Sequence, residues 1–187
     1  MVLSSHDGAP LARVLVAGMG SEWRRDDGVG LAVATRVREL GGDLSATWEV
    51  VAPLADPSDL LGKWDGADLA VVVDATRSGA EPGTLLVFEI GALAAETSAQ
   101  PGGAQGTSGP PGGLSPAGRT TSTHGVGLVG TLRLACAVGR APHRAVVVGV
   151  EGLDFGQGQG LSPPVRAAVD SAAHAVVELI REVVPCA

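Results

Sequence analysis

Two adjacent aspartates, Asp26 and Asp27, lie inside a glycine-spaced stretch, GMGSEWRRDDGVG, running from Gly18 to Gly30. A third, Asp74, closes the apolar run DLAVVVD, and a histidine, His124, opens the glycine-containing segment HGVG. Two carboxylates and an imidazole on separate loops are a donor set for a divalent transition metal that keeps an open coordination position. Either acid is also a candidate general base. Each of these residues has a plainer reading. Asp26 or Asp27 is a helix-start charge satisfying free N–H groups, Asp74 caps the turn at Ala75-Thr76, and His124 caps its own helix. One titratable residue alone is weak grounds for a site. The set as a whole points to Asp27, Asp74 and His124.

Other chemistries fit less well. A dinucleotide fingerprint needs a third glycine where Trp23 stands, and two acids at the helix start repel a pyrophosphate. Ser21 lacks the GxSxG setting of a nucleophile elbow. Cys136 falls in an apolar helical pattern and reads as a buried thiol, and Cys186 as a loose one, with no spacing for a metal or a disulfide. His6, His143 and His174 read as solvated or structural. Glu22, Arg24 and Arg25 belong to a loop over the proposed site, in reach of a partner.

The elements that must position these residues are legible from periodicity. A short apolar strand at 13–18 runs into the glycine turn, and Gly30, Val33, Ala34, Val37 and Leu40 form one stripe of a helix over about 28–40. Strands follow at 47–52, 68–74, 84–89 and 144–150, with a short helix at about 57–64 and longer ones at about 126–139 and 163–183. The 84–89 strand comes too soon after its predecessor for a helical crossover and is expected antiparallel. Ser162 before Pro163-Pro164 is a conventional hydroxyl-capped helix start. In the helix after His124, Leu128, Val129, Leu132, Ala135 and Cys136 are apolar over much of the circumference, which predicts deep packing. Alternating strands and helices predict a three-layer α/β/α sandwich around a mainly parallel five-stranded sheet with one antiparallel strand. Asp27, Asp74 and His124 then share the rim at the carboxyl ends of the strands.

Composition sets the outer limits. One domain spans 1–187, and with aromatics at only 3% its core must be built from Val, Leu and Ala. A net charge of −7 argues against nucleic acid. No apolar run reaches membrane-spanning length, and MVLSSHDGAPLAR lacks the features of a signal peptide, so a cytoplasmic location is expected. From Ser98 to Arg119 half the residues are Gly or Pro, the composition of a flexible insertion.

Four stretches in order carry a family resemblance. They are the Gly18–Gly30 stretch, VVVDATRSGAEPGTLLVFE, STHGVGL and VVVGVEGLDFGQGQGLSPPV. Together they resemble the hydrogenase maturation endopeptidases over nearly the whole chain. The resemblance implies an enzyme that removes the carboxy-terminal extension of a nickel–iron hydrogenase large-subunit precursor after nickel insertion. It places the family's metal-contacting and catalytic positions on Asp27, Asp74 and His124. It further implies that nickel arrives in the precursor and that the protein holds no tightly bound cofactor of its own. Ser21 stands where the family has asparagine, and Ala52-Pro53-Leu54-Ala55-Asp56 replaces a glycine-rich loop. The alternatives are a non-catalytic precursor-binding chaperone of the same fold and an unrelated α/β metallohydrolase.

Overall fold

Runs such as LAVVVDAT and RAVVVGVE are apolar at consecutive positions, the pattern of strands buried on both faces. In a computed structural model, which describes residues 12–41, 47–54, 56–90 and 125–183, these runs form one sheet. The strands are β1 (Arg13–Met19), β2 (Thr47–Leu54), β3 (Leu69–Thr76), β4 (Leu85–Glu89) and β5 (Arg144–Glu151). They lie in the order β2-β1-β3-β5-β4. All neighbours are parallel except β4, which runs antiparallel to β5. The central β3 is buried at every residue.

Side-chain alternation divides the core in two. On one face Val14, Val16, Leu69, Val71, Val73, Val146, Val148 and Val150 meet helices α1 (Val29–Leu40) and α3 (Pro163–Val183). On the other, Leu15, Ala17, Ala70, Val72, Ala145 and Val147 meet α2 (Gly125–Ala137) together with Leu60 and Trp64. The result is the expected three-layer sandwich with a single antiparallel strand. In α1 the stripe is Val29, Val33 and Val37, and in α3 it runs through Val165, Ala168, Ala172, Val176 and Ile180. Among the described residues, no helix is long and apolar enough to cross a membrane.

Three local expectations are corrected. Residues 57–60 form a single 3-10 turn, capped by Asp56 accepting from the Ser58 amide, rather than a helix to 64. Helix α2 does not pack deeply all round: Leu128, Leu132 and Ala135 are buried, whereas Leu134, and Val138 just past its end, are exposed. Cys136 is exposed as well, not a buried thiol. The physical reason is that α2 lies on a single sheet face, so among the described residues its i, i+4, i+7 stripe is what meets the core. The 98–119 stretch lies outside the described residues.

The glycines of the first stretch allow α1 to approach the sheet. A Cβ on Gly30 would stand 2.3 Å from the Met19 carbonyl oxygen and 2.5 Å from that of Val73. Backbone atoms cannot yield at such distances, so the first turn of α1 must sit directly over the ends of β1 and β3. That close contact fixes where the preceding residues, Asp26 and Asp27, can be.

Candidate active site

The strand order makes β1 and β3 neighbours, while the chain leaves β1 for β2 on one side and β3 for the β5 side on the other. Such a switch in direction opens a crevice at the carboxyl ends of the two strands. Asp27 follows β1 in a 3-10 turn (Arg25–Gly28) that packs against β3, and Asp74 lies within β3 just past Val73, the partner of Gly18. The structure therefore brings these two acids to the same corner of the sheet. Both are buried, at 6% and 5% exposure.

Asp27 is aimed by the turn around it. Its Oδ2 accepts a hydrogen bond from the Ser21 amide at 2.9 Å, and its own amide donates to the Arg24 carbonyl at 3.1 Å. The fold-back is possible only because residue 20 is glycine. Gly20 has φ +108°, and a Cβ there would fall 1.8 Å from the Asp27 carbonyl oxygen. Asp74 Oδ1 accepts from the amide of Ala75 at 2.9 Å, but the turn-capping reading is corrected, since Ala75 and Thr76 continue β3. His124 lies outside the described residues, immediately before Gly125 at the start of α2. Among the described residues no group of three or more His, Cys, Asp or Glu side chains is placed to hold a metal ion.

Asp26 and Asp27 do stand in the turn that leads into α1, as expected, but not as its caps. Neither the 3-10 turn nor α1 has a side-chain cap hydrogen bond. Asp26 instead reaches across to the segment after β5. Its carboxylate accepts from the amides of Leu153 at 2.9 Å, Asp154 at 2.8 Å and Ser162 at 2.6 Å, and from the Ser162 hydroxyl at 2.8 Å. Burial alone would raise its pKa, but these donors outweigh burial and hold it below the ordinary carboxylate value. The Ser162 hydroxyl thus serves Asp26 at the entrance to α3.

A fourth buried acid, Glu151 at the end of β5, was not singled out from sequence. It accepts from the hydroxyl of Thr76, its partner in the β3–β5 register, and from the amide and hydroxyl of Ser78 and the amide of Gly79. Burial again opposes ionisation and the donors prevail, so its pKa lies below the ordinary value. The only sequence signal was indirect: a glutamate ending an apolar strand, VVVGVE, and a Ser-Gly turn far away in the chain.

Outside the acids, an open cleft of about 710 Å3 is lined by Trp23, Arg24, Phe155, Gly156, Gln157 and Gly158. Its two walls are joined by backbone bonds from the Arg25 amide to the Gly158 carbonyl and from the Gly158 amide to the Trp23 carbonyl, both 2.9 Å. Arg25 pairs with Asp154 at 3.2 Å, and the Arg77 guanidinium stacks 4.4 Å above the Phe155 ring. Arg24 and Trp23 are exposed, as expected of a loop available to a partner.

Comparison with known proteins follows the same lines. Residues 115–179 match the family model described as hydrogenase maturation protease. The hydrogenase maturating endopeptidase HybD from E. coli shares the fold at a TM-score of 0.68 and 24% identity, covering 91% of this chain and 93% of that one. The [NiFe] hydrogenase maturation protease HybD from Thermococcus kodakarensis does so at 0.65 and 23%, covering 90% and 99%. The hydrogenase 2 maturation peptidase from Thaumarchaeota archaeon SCGC_AB-539-E09 does so at 0.54 and 25%, covering 90% and 98%. No protein of curated function matches by sequence. The matched segment holds the third and fourth of the four motifs, and over nearly its whole length the chain is similar in fold to hydrogenase maturation proteases.

Proposed function

We propose that this chain is an endopeptidase that removes the carboxy-terminal extension of a nickel–iron hydrogenase large-subunit precursor once nickel has been inserted. The observation that carries this reading is the pair of buried carboxylates, Asp27 and Asp74, at the β1–β3 switch point of a fold shared with hydrogenase maturation proteases. The precursor's nickel is cargo of the substrate, and Asp27, Asp74 and His124 are the side chains that would engage it. Bound there, the metal supplies Lewis-acid polarisation of the scissile carbonyl or of an attacking water.

The chain's own contribution is placement and proton handling. Asp27 is held by the Ser21 amide at one oxygen, which orients the carboxylate. Asp74 is fixed by the amide of Ala75. Either carboxylate is a base for the attacking water. Oxygen donors and one imidazole, with no thiolate, leave the soft cysteine ligands to the precursor. The purified protein is accordingly expected to hold little metal of its own and to act in the cytoplasm.

The test is to incubate the purified chain with nickel-loaded and nickel-free precursor and to weigh the released tail by mass spectrometry. Release from the loaded form alone is expected. Equal release from both would overturn recognition of the metal, and a stable complex without any release would favour the chaperone alternative.

A further inference from the structure

Asp26 stands next to a proposed site acid yet points away from the site, and it is wholly buried. We propose that it is a positioning residue, a latch that holds the 152–162 segment as one wall of the cleft at a fixed offset from Asp27. This rests on the reading of Asp27 as a site residue.

The geometry is reciprocal. The Asp26 carboxylate takes the amides of Leu153, Asp154 and Ser162 and the Ser162 hydroxyl, while the Asp26 amide donates back to the Asp154 carbonyl at 3.0 Å. The segment is thereby gripped near its start and at its end. Between the two grips it carries Phe155, Gly156, Gln157 and Gly158, four of the six cleft-lining residues. The remaining two, Trp23 and Arg24, immediately precede the turn that carries Asp27, and the Asp27 amide bonds directly to the Arg24 carbonyl. One short stretch, residues 23–27, therefore contacts the cleft, the latch and the site. A peptide seated against Trp23 and Phe155 would be held in register with Asp27 for as long as Asp26 keeps the opposite wall in place.

Other contacts hold the middle of the segment, among them the Arg25–Gly158–Trp23 backbone bonds, the Arg25–Asp154 pair and the packing of Phe155 and Leu161 on the core, whereas Asp26 ties its start to its end. Leu153 and Asp154 are exposed, as are Gly156 and Gln157. A carboxylate is suited to the latch because it offers two oxygens to four converging donors. Asparagine presents one oxygen and turns an NH2 group toward N–H donors, leaving part of the set unmet. Ser162→Ala is the graded counterpart, removing the hydroxyl donor and leaving all three amides bonded.

Two readouts decide it, both on the full chain and at a temperature where each variant is shown by circular dichroism to be folded. The first needs no substrate: amide hydrogen exchange over 152–162. Asp26→Asn should speed exchange in this segment about 10-fold or more while β3 and β5 stay protected, with a smaller effect for Ser162→Ala. The second uses nickel-loaded precursor. Asp26→Asn should raise KM about 10-fold, a change of the size of one lost charge-assisted hydrogen bond, with kcat little altered. A purely structural role would lower the active fraction, and so the apparent kcat, at unchanged KM. Unchanged exchange over 152–162, or unchanged KM with a lowered kcat, overturns the proposal. If the parent chain fails to cleave the precursor, the cleavage reading is what falls. The precursor's Kd then takes the place of KM, and an unaltered Kd in Asp26→Asn overturns the latch.

Discussion

The two ends of the parallel strands treat acidic residues in opposite ways. At the carboxyl end Asp26, Asp27, Asp74 and Glu151 are all nearly inaccessible to solvent. At the amino end Asp65 and Asp68 are partly exposed and meet surface side chains, the Arg140 guanidinium at 3.6 Å from Asp65 and the His143 ring at 3.5 Å from Asp68. The Arg13 guanidinium and amide also bind there, to the Asp65 carbonyl and the Asp68 carboxylate. Exposed pairs compete with water and contribute little. Buried carboxylates survive only where oriented donors replace the lost water. Two of the four buried acids, Asp26 and Glu151, are each met by several donors and behave as structural anchors. Asp27 accepts one hydrogen bond at its carboxylate among the described residues, from Ser21. The difference teaches that burial alone does not mark a site acid.

Removing a site carboxylate should have the largest effect. Asp27→Asn and Asp74→Asn are each expected to lower precursor cleavage by about 10²-fold or more, in the range lost with a catalytic acid or base. Melting temperature should stay near that of the parent. Wild-type cleavage by either variant would remove that residue from the site and with it the contrast between site and anchor.

Glu151→Ala should be the largest effect on stability. It strips the acceptor from the Thr76 and Ser78 hydroxyls and the Ser78 and Gly79 amides. A loss of about 3 kcal/mol is expected in urea unfolding, since donors left unmet at a buried charge site cost more than one bond's net worth. A change within the scatter of surface mutations would show that the turn after β3 does not depend on this anchor.

Acid should separate the two ends further. Asp26 and Glu151 have folded-state pKa values below their ordinary ones. The stability they contribute is therefore fully present above the ordinary carboxylate range and is lost as pH falls through it toward the folded values. Unfolding midpoints measured down the acid limb should fall steeply in the parent chain. Glu151→Gln should flatten that slope, whereas a slope equal to the parent's would mean that Glu151 is not linked to it.

The smallest effect belongs to the opposite end. Arg140→Ala removes the cation paired with exposed Asp65 and should cost less than about 1 kcal/mol, and less still at high salt. A larger, salt-insensitive loss would mean that the amino-end pairs are as structural as the buried anchors.

Much of this was open to reading from the chain alone. Consecutive apolar positions fix buried parallel strands, and the short link before TLLVFE fixes the antiparallel one, because both follow from local periodicity and chain reach. The 3.6-residue stripes of α1 and α3 are equally local. Asp27 and Asp74 could be assigned to one rim because parallel strands with helical crossovers end on the same side. The exposed Cys136 could not be foreseen, since an apolar residue is buried only if something lies against it, and that depends on how many faces of α2 find a neighbour.

The tertiary structure alone decided what each acid meets. Asp26 and Asp27 are the same residue type in neighbouring positions, and no local rule tells them apart. Their carboxylates diverge because Asp26 meets amides that lie 127 to 136 positions further along the chain, while Asp27 is held by an amide six positions before it. Glu151 is likewise defined by a turn 72 to 75 positions earlier. Periodicity is a property of neighbours and is written in the sequence. The partners of a buried charge are brought in by the fold.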